Sequence, residues 1–394
     1  MENRTPTVQT SQRVKKISES ASVKLAGEIS LIRSRGEKII GLHIGEPDFL
    51  PSPKIATAIN EAMNSGKVRY SLVAGEIPLR QKIVEFENKN SPVELKIENI
   101  VISNGSKQSL YNIFQTICDP GDEIIVPSPY WISFPESVKL AGGIPVFVDL
   151  DENLQPNIGL IQQKISPRTK GIIINNPSNP TGVIYNKEKL QQIGELAIRH
   201  GFFIIADEAY DGLIYEKENY CSFLHLDKKY FSHVITTKTF SKTYAMTGHR
   251  IGYTITTNEV SKELIKLQGH LTGNNCTFVQ YGALEALNIS EDELEKQRLE
   301  FKKRRDFCFE KISSVVPCVK PQGAFYLFPK ISHLLKDGET SQDLCEDILK
   351  KTKVAVLPGD AFGAPGFIRI AFTVKMEELI EAMELLVEFF KQRI

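Results

Sequence analysis

Residues 239–252 combine hydroxyl side chains, glycines, one lysine and one arginine in a short stretch that follows an apolar, β-branched run. A lysine near hydroxyl groups and a second cation can lose its proton and become a nucleophilic amine, which Schiff-base chemistry with an aldehyde requires. Lys242 is that lysine, and Thr239, Ser241 and Arg250 are candidate phosphate ligands. The expected aldehyde is therefore pyridoxal phosphate, although an ordinary solvated loop would also accommodate these residue types.

Polar residues also follow three other predicted strands, at the strand ends where open parallel sheets bind ligands. In residues 104–107 a glycine lets the backbone approach an anion, and the helix that starts there directs free N–H groups at it. In residues 175–182 two X-Pro steps hold the backbone and direct Asn179, whose amide can donate to a phenolate oxygen. Asp207 ends a buried strand, where a carboxylate is costly unless it meets a cation such as a protonated pyridine nitrogen. Taken singly, each feature is also explained by a helix cap, a turn or, for Asp207, a metal ion, which the lack of a second carboxylate-rich cluster disfavours.

The composition argues against several classes of function. Forty-eight basic residues balance 48 acidic ones in the 394-residue chain, so no net charge attracts nucleic acid or an anionic membrane, and a small-molecule function is favoured. No window approaches the ~18 apolar residues of a membrane span, and residues 1–8 do not resemble a signal peptide. The six cysteines are scattered and are expected to be buried thiols. We therefore expect a cytoplasmic protein without nucleic-acid, membrane or metal partners.

A series of apolar runs separated by helical segments predicts an α/β fold. Several runs are apolar at every position, as in strands that are buried on both faces. They predict a large domain, residues 48–284, with a mostly parallel seven-stranded sheet sandwiched by helices. Residues 1–47 and 285–394 are expected to form a smaller, discontinuous α+β domain. A long charged helix is expected to run with interruptions from about residue 280 to 313. The seven runs are residues 100–102, 123–126, 144–148, 171–175, 202–206, 234–237 and 251–255.

The order and spacing of three motifs carry a family resemblance. They are Asn-Pro-Ser-Asn-Pro-Thr-Gly at 176–182, Asp-Glu-Ala-Tyr at 207–210, and Ser-Lys-x7-Arg-x-Gly at 241–252. In this combination they resemble the class I aminotransferases of fold type I, the aspartate aminotransferase superfamily, from about Arg13 to the C-terminus. Residues 45–49, 129–131 and 246–250 are similar to the gamma subgroup of that superfamily.

The resemblance implies roles for the residues around the cofactor ring. Lys242 would be the catalytic residue, which bonds to pyridoxal phosphate and then moves a proton between the substrate α-carbon and the cofactor. Asp207 would pair with the pyridine nitrogen, and Asn179 and Tyr210 would hydrogen-bond the ring oxygen. Trp131 would stack on the ring face, although a tryptophan is more commonly a core or interface residue.

The resemblance also implies how phosphate and substrate are held. Arg369 resembles the ligand of the substrate α-carboxylate, assisted by the backbone of Gly45. Tyr70 resembles the tyrosine that crosses to the cofactor phosphate of a partner subunit, which implies a homodimer with shared active sites; an ordinary exposed loop tyrosine is the alternative. The expected phosphate ligands within one subunit are Gly105, Ser106, Lys107, Thr239, Ser241 and Arg250.

The implied function is transfer of an α-amino group to a 2-oxo acid by a ping-pong cycle between the pyridoxal and pyridoxamine phosphate forms. Lys107 resembles a lysine that faces the distal carboxylate of the substrate, which favours aspartate or glutamate, although a phosphate neighbour or a surface lysine fits equally well. Residues 270–278 lack the Ser/Pro-rich character of the subgroup and offer no arginine for a second carboxylate, so an aromatic, alanine-type or prephenate-like donor stays open. A lyase of the same fold, either a carbon–sulfur β-lyase or an aminocyclopropane-carboxylate synthase, would share every cofactor residue.

Position 239 and the N-terminal residues bear on how far the family pattern applies. Position 239 is threonine where the family usually has serine or glycine, but the hydroxyl is kept. Residues 20–23 are expected either to begin a helix or to belong to an N-terminal lid. A non-catalytic regulator of this fold normally adds a DNA-binding segment, for which the short N-terminus and neutral charge leave little room.

Overall fold

A seven-stranded sheet is the centre of the computed structural model, which describes residues 10–19, 21–216 and 220–394. The strands of the chain are β1 (Ile40–Gly41), β2 (Ile100–Ser103), β3 (Glu123–Ser128), β4 (Ile144–Asp149), β5 (Thr169–Asn175), β6 (Phe203–Asp207), β7 (Val234–Thr239), β8 (Gly252–Ile255), β9 (Tyr326–Leu327), β10 (Val354–Ala355), β11 (Leu357–Pro358) and β12 (Ile368–Ala371). The central sheet has the order β2-β8-β7-β6-β5-β3-β4 and is parallel except for β8, which runs antiparallel to both neighbours. The seven predicted strands and the mostly parallel sheet are confirmed.

Helices cover both faces of this sheet. Along β3, Ile124 and Val126 face one apolar cluster, whereas Ile125 between them faces another, as the two-residue period of a strand requires. Helices α5, α6 and α10 contribute to the first cluster and α8 to the second. The helices are α1 (Gln12–Lys15), α2 (Ala21–Ser34), α3 (Pro53–Asn64), α4 (Ile77–Glu87), α5 (Ser106–Ile117), α6 (Ser133–Leu140), α7 (Ile158–Lys164), α8 (Lys187–His200), α9 (Phe240–Thr243), α10 (Asn258–Leu271), α11 (Thr277–Ala286), α12 (Glu291–Ser313), α13 (Ser341–Thr352) and α14 (Met376–Lys391).

A second core lies in the C-terminal part of the chain. Strands β11, β12 and β9 form an antiparallel sheet, and β1 pairs with β10 in parallel. Helices α12, α13 and α14 pack around them in one large apolar cluster. The long charged helix predicted from about residue 280 is interrupted as expected, because α11 ends at Ala286 and α12 begins at Glu291. Within the described residues no helix is long and apolar enough to cross a membrane.

Two smaller expectations have different outcomes. Helix α2 begins at Ala21, and the preceding Ser20 of the suggested lid lies outside the described residues. The expectation that all cysteines are buried is wrong for Cys276, which is exposed, and for Cys318, which is only partly buried. Cys276 immediately precedes α11 and is exposed there.

Strand register places the candidate functional residues in one row. Asn175 at the end of β5 pairs with Asp207 at the end of β6, and Asp207 pairs with Thr237 of β7. At the end of β7, Thr239 pairs with Gly252 at the start of β8. The carboxyl ends of three adjacent parallel strands and the loops that follow them therefore share one edge of the sheet.

Candidate active site

A cavity of about 460 Å³ opens at this edge, between the central sheet and the C-terminal α+β region. The sequence-predicted residues that line it come from seven separate segments of the chain, which the fold brings together. They are Gly45, Ser106, Lys107, Trp131, Asn179, Asp207, Tyr210, Lys242 and Arg369.

Lys242 projects from the short helix α9, and its Nζ donates a hydrogen bond to the Gly45 carbonyl oxygen at 2.7 Å. The pKa of its ammonium group is lowered from 10.5 to about 8, and burial is the largest cause. The positive charges of Arg369 and Arg250 also lower this pKa, whereas the nearby carboxylates raise it. The expected role of neighbouring hydroxyl groups is not observed. The hydroxyl of Thr239 instead donates to Ser241 Oγ at 2.9 Å, so burial rather than hydroxyl contact makes the amine easier to deprotonate.

Asp207 is 3% exposed and has one oxygen that is not hydrogen-bonded. Its Oδ2 accepts a long 3.4 Å hydrogen bond from Asn175 Nδ2, whereas Oδ1 has no partner among the described residues. Burial raises the pKa of the carboxyl group to about 7, and the adjacent Glu208 carboxylate adds to the shift. A cationic ring nitrogen would satisfy this free oxygen and stabilise the charged carboxylate.

Arg369 lies on β12 and is 4% exposed, yet it forms no ion pair within the described part of the chain. Its Nη1 donates to Asn179 Oδ1 at 3.0 Å and its Nη2 to the carbonyl oxygen of His43 at 2.7 Å. The guanidinium stacks on the Tyr326 ring, 4.3 Å from the ring centroid. A buried arginine that is oriented by neutral partners keeps its charge available for a carboxylate from outside the protein.

Tyr326 is a residue of this cavity that the sequence did not predict. Its hydroxyl lies 2.9 Å from the hydroxyl of Tyr210. A side chain at Gly45 would place its Cβ 2.0 Å from the same hydroxyl, so only glycine fits there. Tyr326 therefore determines how closely the Gly45 backbone approaches the cavity, but no feature of the apolar segment around it indicates chemistry. Further unpredicted lining residues are Val23, Ala26, His43, Ile44, Glu46, Asn175 and Ala209.

The predicted phosphate ligands form a cradle beside the cavity. Gly105 has a φ of 81°, which favours glycine, and it precedes α5, whose first turn has free N–H groups. The guanidinium of Arg250 would be 2.6 Å from a Cβ at position 105, so the arginine crosses directly over this turn. A Cβ at Gly252 would lie 2.9 Å from the Ser106 nitrogen, which shows how tightly β8 packs against the helix start. The cradle thus combines a helix N-terminus and a guanidinium. The hydroxyls of Thr239 and Ser241, which bond to each other, are connected to it through the pairing of Thr239 with Gly252.

Lys107 and Tyr70 differ in their relation to the cavity. The Nζ of Lys107 lies 5.0 Å from the centroid of the Trp131 ring, so both line one side of the cavity. Tyr70 is 99% exposed and does not line the cavity of its own chain. Within the described residues no three His, Cys, Asp or Glu side chains are arranged to hold a metal ion.

Known proteins resemble this chain over nearly its whole length. Residues 37–386 match the family model described as aminotransferase class I and II. A probable aspartate/prephenate aminotransferase of Aquifex aeolicus is 39% identical over 377 residues, covering 94% of this chain and 96% of that protein. An aspartate aminotransferase of Geobacillus stearothermophilus is 35% identical over 390 residues, covering 97% and 99%. A solved structure of an aspartate aminotransferase from Thermus thermophilus with maleate has a TM-score of 0.92 and 34% identity, covering 97% of this chain and 100% of that one. The chain therefore belongs to the class I and II aminotransferase family.

Proposed function

We propose that this aminotransferase uses pyridoxal phosphate to move the α-amino group of aspartate or glutamate to a 2-oxo acid. One observation carries the proposal. A single cavity brings together an amine of lowered pKa, a buried carboxylate with a free oxygen and an arginine without an acidic partner, namely Lys242, Asp207 and Arg369. Bound pyridoxal phosphate supplies an electron-withdrawing ring that makes the proton on the substrate α-carbon acidic.

The protein residues have separate tasks in this chemistry. The neutral amine of Lys242 takes the proton from the substrate α-carbon and later returns a proton, which a pKa of about 8 permits near neutral pH. Asp207 would pair with the pyridine nitrogen of the cofactor and favour its protonated form. Asn179 uses its Oδ1 to orient Arg369, which leaves its Nδ2 to donate to the ring oxygen beside Tyr210.

The two carboxylates of the substrate would be read at different ends of the cavity. Arg369 would bind the α-carboxylate in a bidentate manner, since its guanidinium is already oriented by Asn179 and the His43 carbonyl. Lys107, beside Trp131, supplies a positive charge for a distal carboxylate. The relatives named for aspartate, and the Thermus thermophilus structure that contains the dicarboxylate maleate, support this assignment.

We also propose a homodimer in which Tyr70 reaches the cofactor phosphate of the partner subunit. Tyr70 is almost fully exposed in the single chain, and the apolar side chains of Val68 and Leu72 beside it are 58% and 53% exposed. An exposed apolar patch of this kind is typical of a surface that a partner covers. Sedimentation at low protein concentration tests the dimer, and a monomeric active protein would contradict it.

The test of the function is a panel of half-reactions scored by the cofactor absorbance. Aspartate and glutamate should convert the pyridoxal to the pyridoxamine form, and oxaloacetate or 2-oxoglutarate should restore it. Alanine, phenylalanine and prephenate, as donors or acceptors, measure specificity. No reversible conversion with any pair would contradict the proposal. Release of pyruvate and ammonia from cystathionine, or of methylthioadenosine from S-adenosylmethionine, would indicate a lyase of the same fold instead.

A further inference from the structure

Asn275 lies beside the phosphate cradle but was not among the predicted cofactor residues. It is 1% exposed, and its Nδ2 faces three oxygen atoms that belong to two separate parts of the cradle. The distances are 3.0 Å to the Ser103 carbonyl, 2.6 Å to Asn104 Oδ1 and 3.2 Å to the Arg250 carbonyl. An amide NH2 group suits this position because all three neighbours are acceptors.

The position of β2 in the sheet explains why such a contact is needed. β2 is one of the two edge strands, and among the described strands β8 alone pairs with it, through a short antiparallel ladder from Ile100–Ile255 to Ser103–Gly252. The loop that leaves β2 therefore has no further strand beside it. The Asn275 carboxamide bridges this loop to the backbone of Arg250, which is held in the left-handed region at a φ of 51°.

Asn275 is itself held from the other side by α11. Gln280 donates through Nε2 to the Asn275 carbonyl at 3.0 Å, and its Oε1 accepts from the Glu76 backbone at 2.7 Å. Thr277 donates to the carbonyl oxygen of Arg69 at 2.7 Å. The segment that begins at Asn275 is thus fixed both to the cradle and to the loop that presents Tyr70.

We propose that Asn275 is a positioning residue for the cofactor phosphate, which holds the Gly105 turn and Arg250 at the spacing that the phosphate requires. This inference rests on the proposed function. It also gives residues 270–278 a task that differs from substrate selection. The Asn275 amide would not contact the cofactor, since its hydrogens are directed at protein oxygens.

The test compares the affinity of the full-length apoprotein for pyridoxal phosphate with its affinity for pyridoxal, which lacks the phosphate. The dissociation constant for pyridoxal divided by that for pyridoxal phosphate isolates the phosphate contribution. Asn275→Leu keeps the size of the side chain and adds no charge. It should lower this ratio roughly tenfold, because the hydrogen bonds that the variant weakens are those to the charged phosphate. The dissociation constant for pyridoxal itself should change by less than about twofold.

Asn88→Leu is the matched control. The Asn88 carboxamide also bridges a loop, with hydrogen bonds of 3.1 and 2.9 Å to the backbone of Leu95, but it lies away from the cradle. This variant should keep the wild-type ratio. Asn275→Ala serves as a second variant if the leucine protein does not fold, as judged by thermal unfolding of the apoprotein. Equal weakening of both ligands, or an unchanged ratio, would overturn the role of Asn275. A wild-type protein that does not prefer pyridoxal phosphate over pyridoxal would contradict the proposed function instead.

Discussion

Two buried lysines only four residues apart have opposite electrostatic surroundings. Lys238, near the end of β7, has its Nζ 3.0 Å from a Glu87 oxygen, 3.0 Å from Asp211 and 3.7 Å from Glu208. Burial alone would lower the pKa of Lys238, but the three carboxylates more than offset this effect and hold the pKa well above its ordinary value. Lys242 forms no such ion pair within the described residues, and its pKa falls to about 8.

The difference shows that burial does not by itself make a lysine reactive. Both ammonium groups lose water, but of the two lysines Lys238 alone forms ion pairs among the described residues, whereas Lys242 faces the positive charges of Arg369 and Arg250. Two of the three carboxylates around Lys238 are chain neighbours of the candidate site, because Glu208 follows Asp207 and Asp211 follows Tyr210. Residues 207–211 therefore contribute both to the cavity that contains Lys242 and to the carboxylate cluster around Lys238.

The largest expected effect comes from replacing the reactive lysine. Lys242→Met removes the cavity amine whose pKa is lowered to about 8 and which is assigned the proton transfer, so transaminase turnover should fall by at least ~10³-fold. The unfolding free energy of the apoprotein should not fall, since an unpaired buried charge is removed. Turnover with aspartate and 2-oxoglutarate, together with urea unfolding, checks both expectations. Full turnover in this variant would contradict the assignment of Lys242.

The same substitution at the other lysine should have the opposite pattern. Lys238→Met leaves the carboxylates of Glu87, Asp211 and Glu208 without their cation, and the unfolding free energy should fall by about 3–5 kcal/mol. The Lys242→Met protein is the matched control, because it has the same change of side chain four residues away. Unchanged stability of Lys238→Met in urea unfolding would show that the cluster already binds enough protons to be neutral.

The sequence predicted the residues at strand ends much better than those brought in by packing. Asn179, Asp207 and Lys242 follow apolar runs whose strand character is evident, so the rule for open sheets located them. Tyr326 was missed because it belongs to an apolar segment and meets Tyr210 from 116 residues away. The division into domains at residues 48–284 stays a prediction.

Lys238 shows a second limit of sequence analysis. The predicted strand ended at residue 237, so Lys238 lay outside it, whereas β7 continues to Thr239 and buries Lys238. Its partner Glu87 is 151 residues away at the end of α4. Ion pairs of this separation leave no local pattern, and the same is true of the Asn275 contacts with the loop after β2.

A smaller effect should appear in the pH dependence of stability. The Lys242 pKa is lowered from 10.5 to about 8 by folding, so between these pH values the unfolded chain binds more protons than the folded one. The unfolding free energy of the wild-type apoprotein should therefore rise with pH in this window relative to that of Lys242→Met. Urea unfolding at several pH values between 8 and 10 provides the measurement. Parallel pH profiles would mean that the folded and unfolded pKa values are the same.

The smallest effect is expected from Glu208, whose carboxylate lies near Lys238 and also influences the pKa of Asp207. Glu208→Gln removes the second cause of the raised pKa of Asp207, so this pKa should fall but stay above 3.8, because burial is the larger cause. Folded-state pKa values of about 7 for both carboxyl groups stabilise the protein at low pH, and this contribution is lost as pH rises to 7. The variant should therefore lose less stability than the wild type between pH 4.5 and 7.

Glu87→Gln is the matched control, because it removes a charge from the Lys238 cluster without being a cause of the Asp207 shift. If the ¹³C titration of the Asp207 carboxyl group is identical in Glu208→Gln and wild type, the carboxylates around Lys238 do not influence the pKa of Asp207 in the cavity.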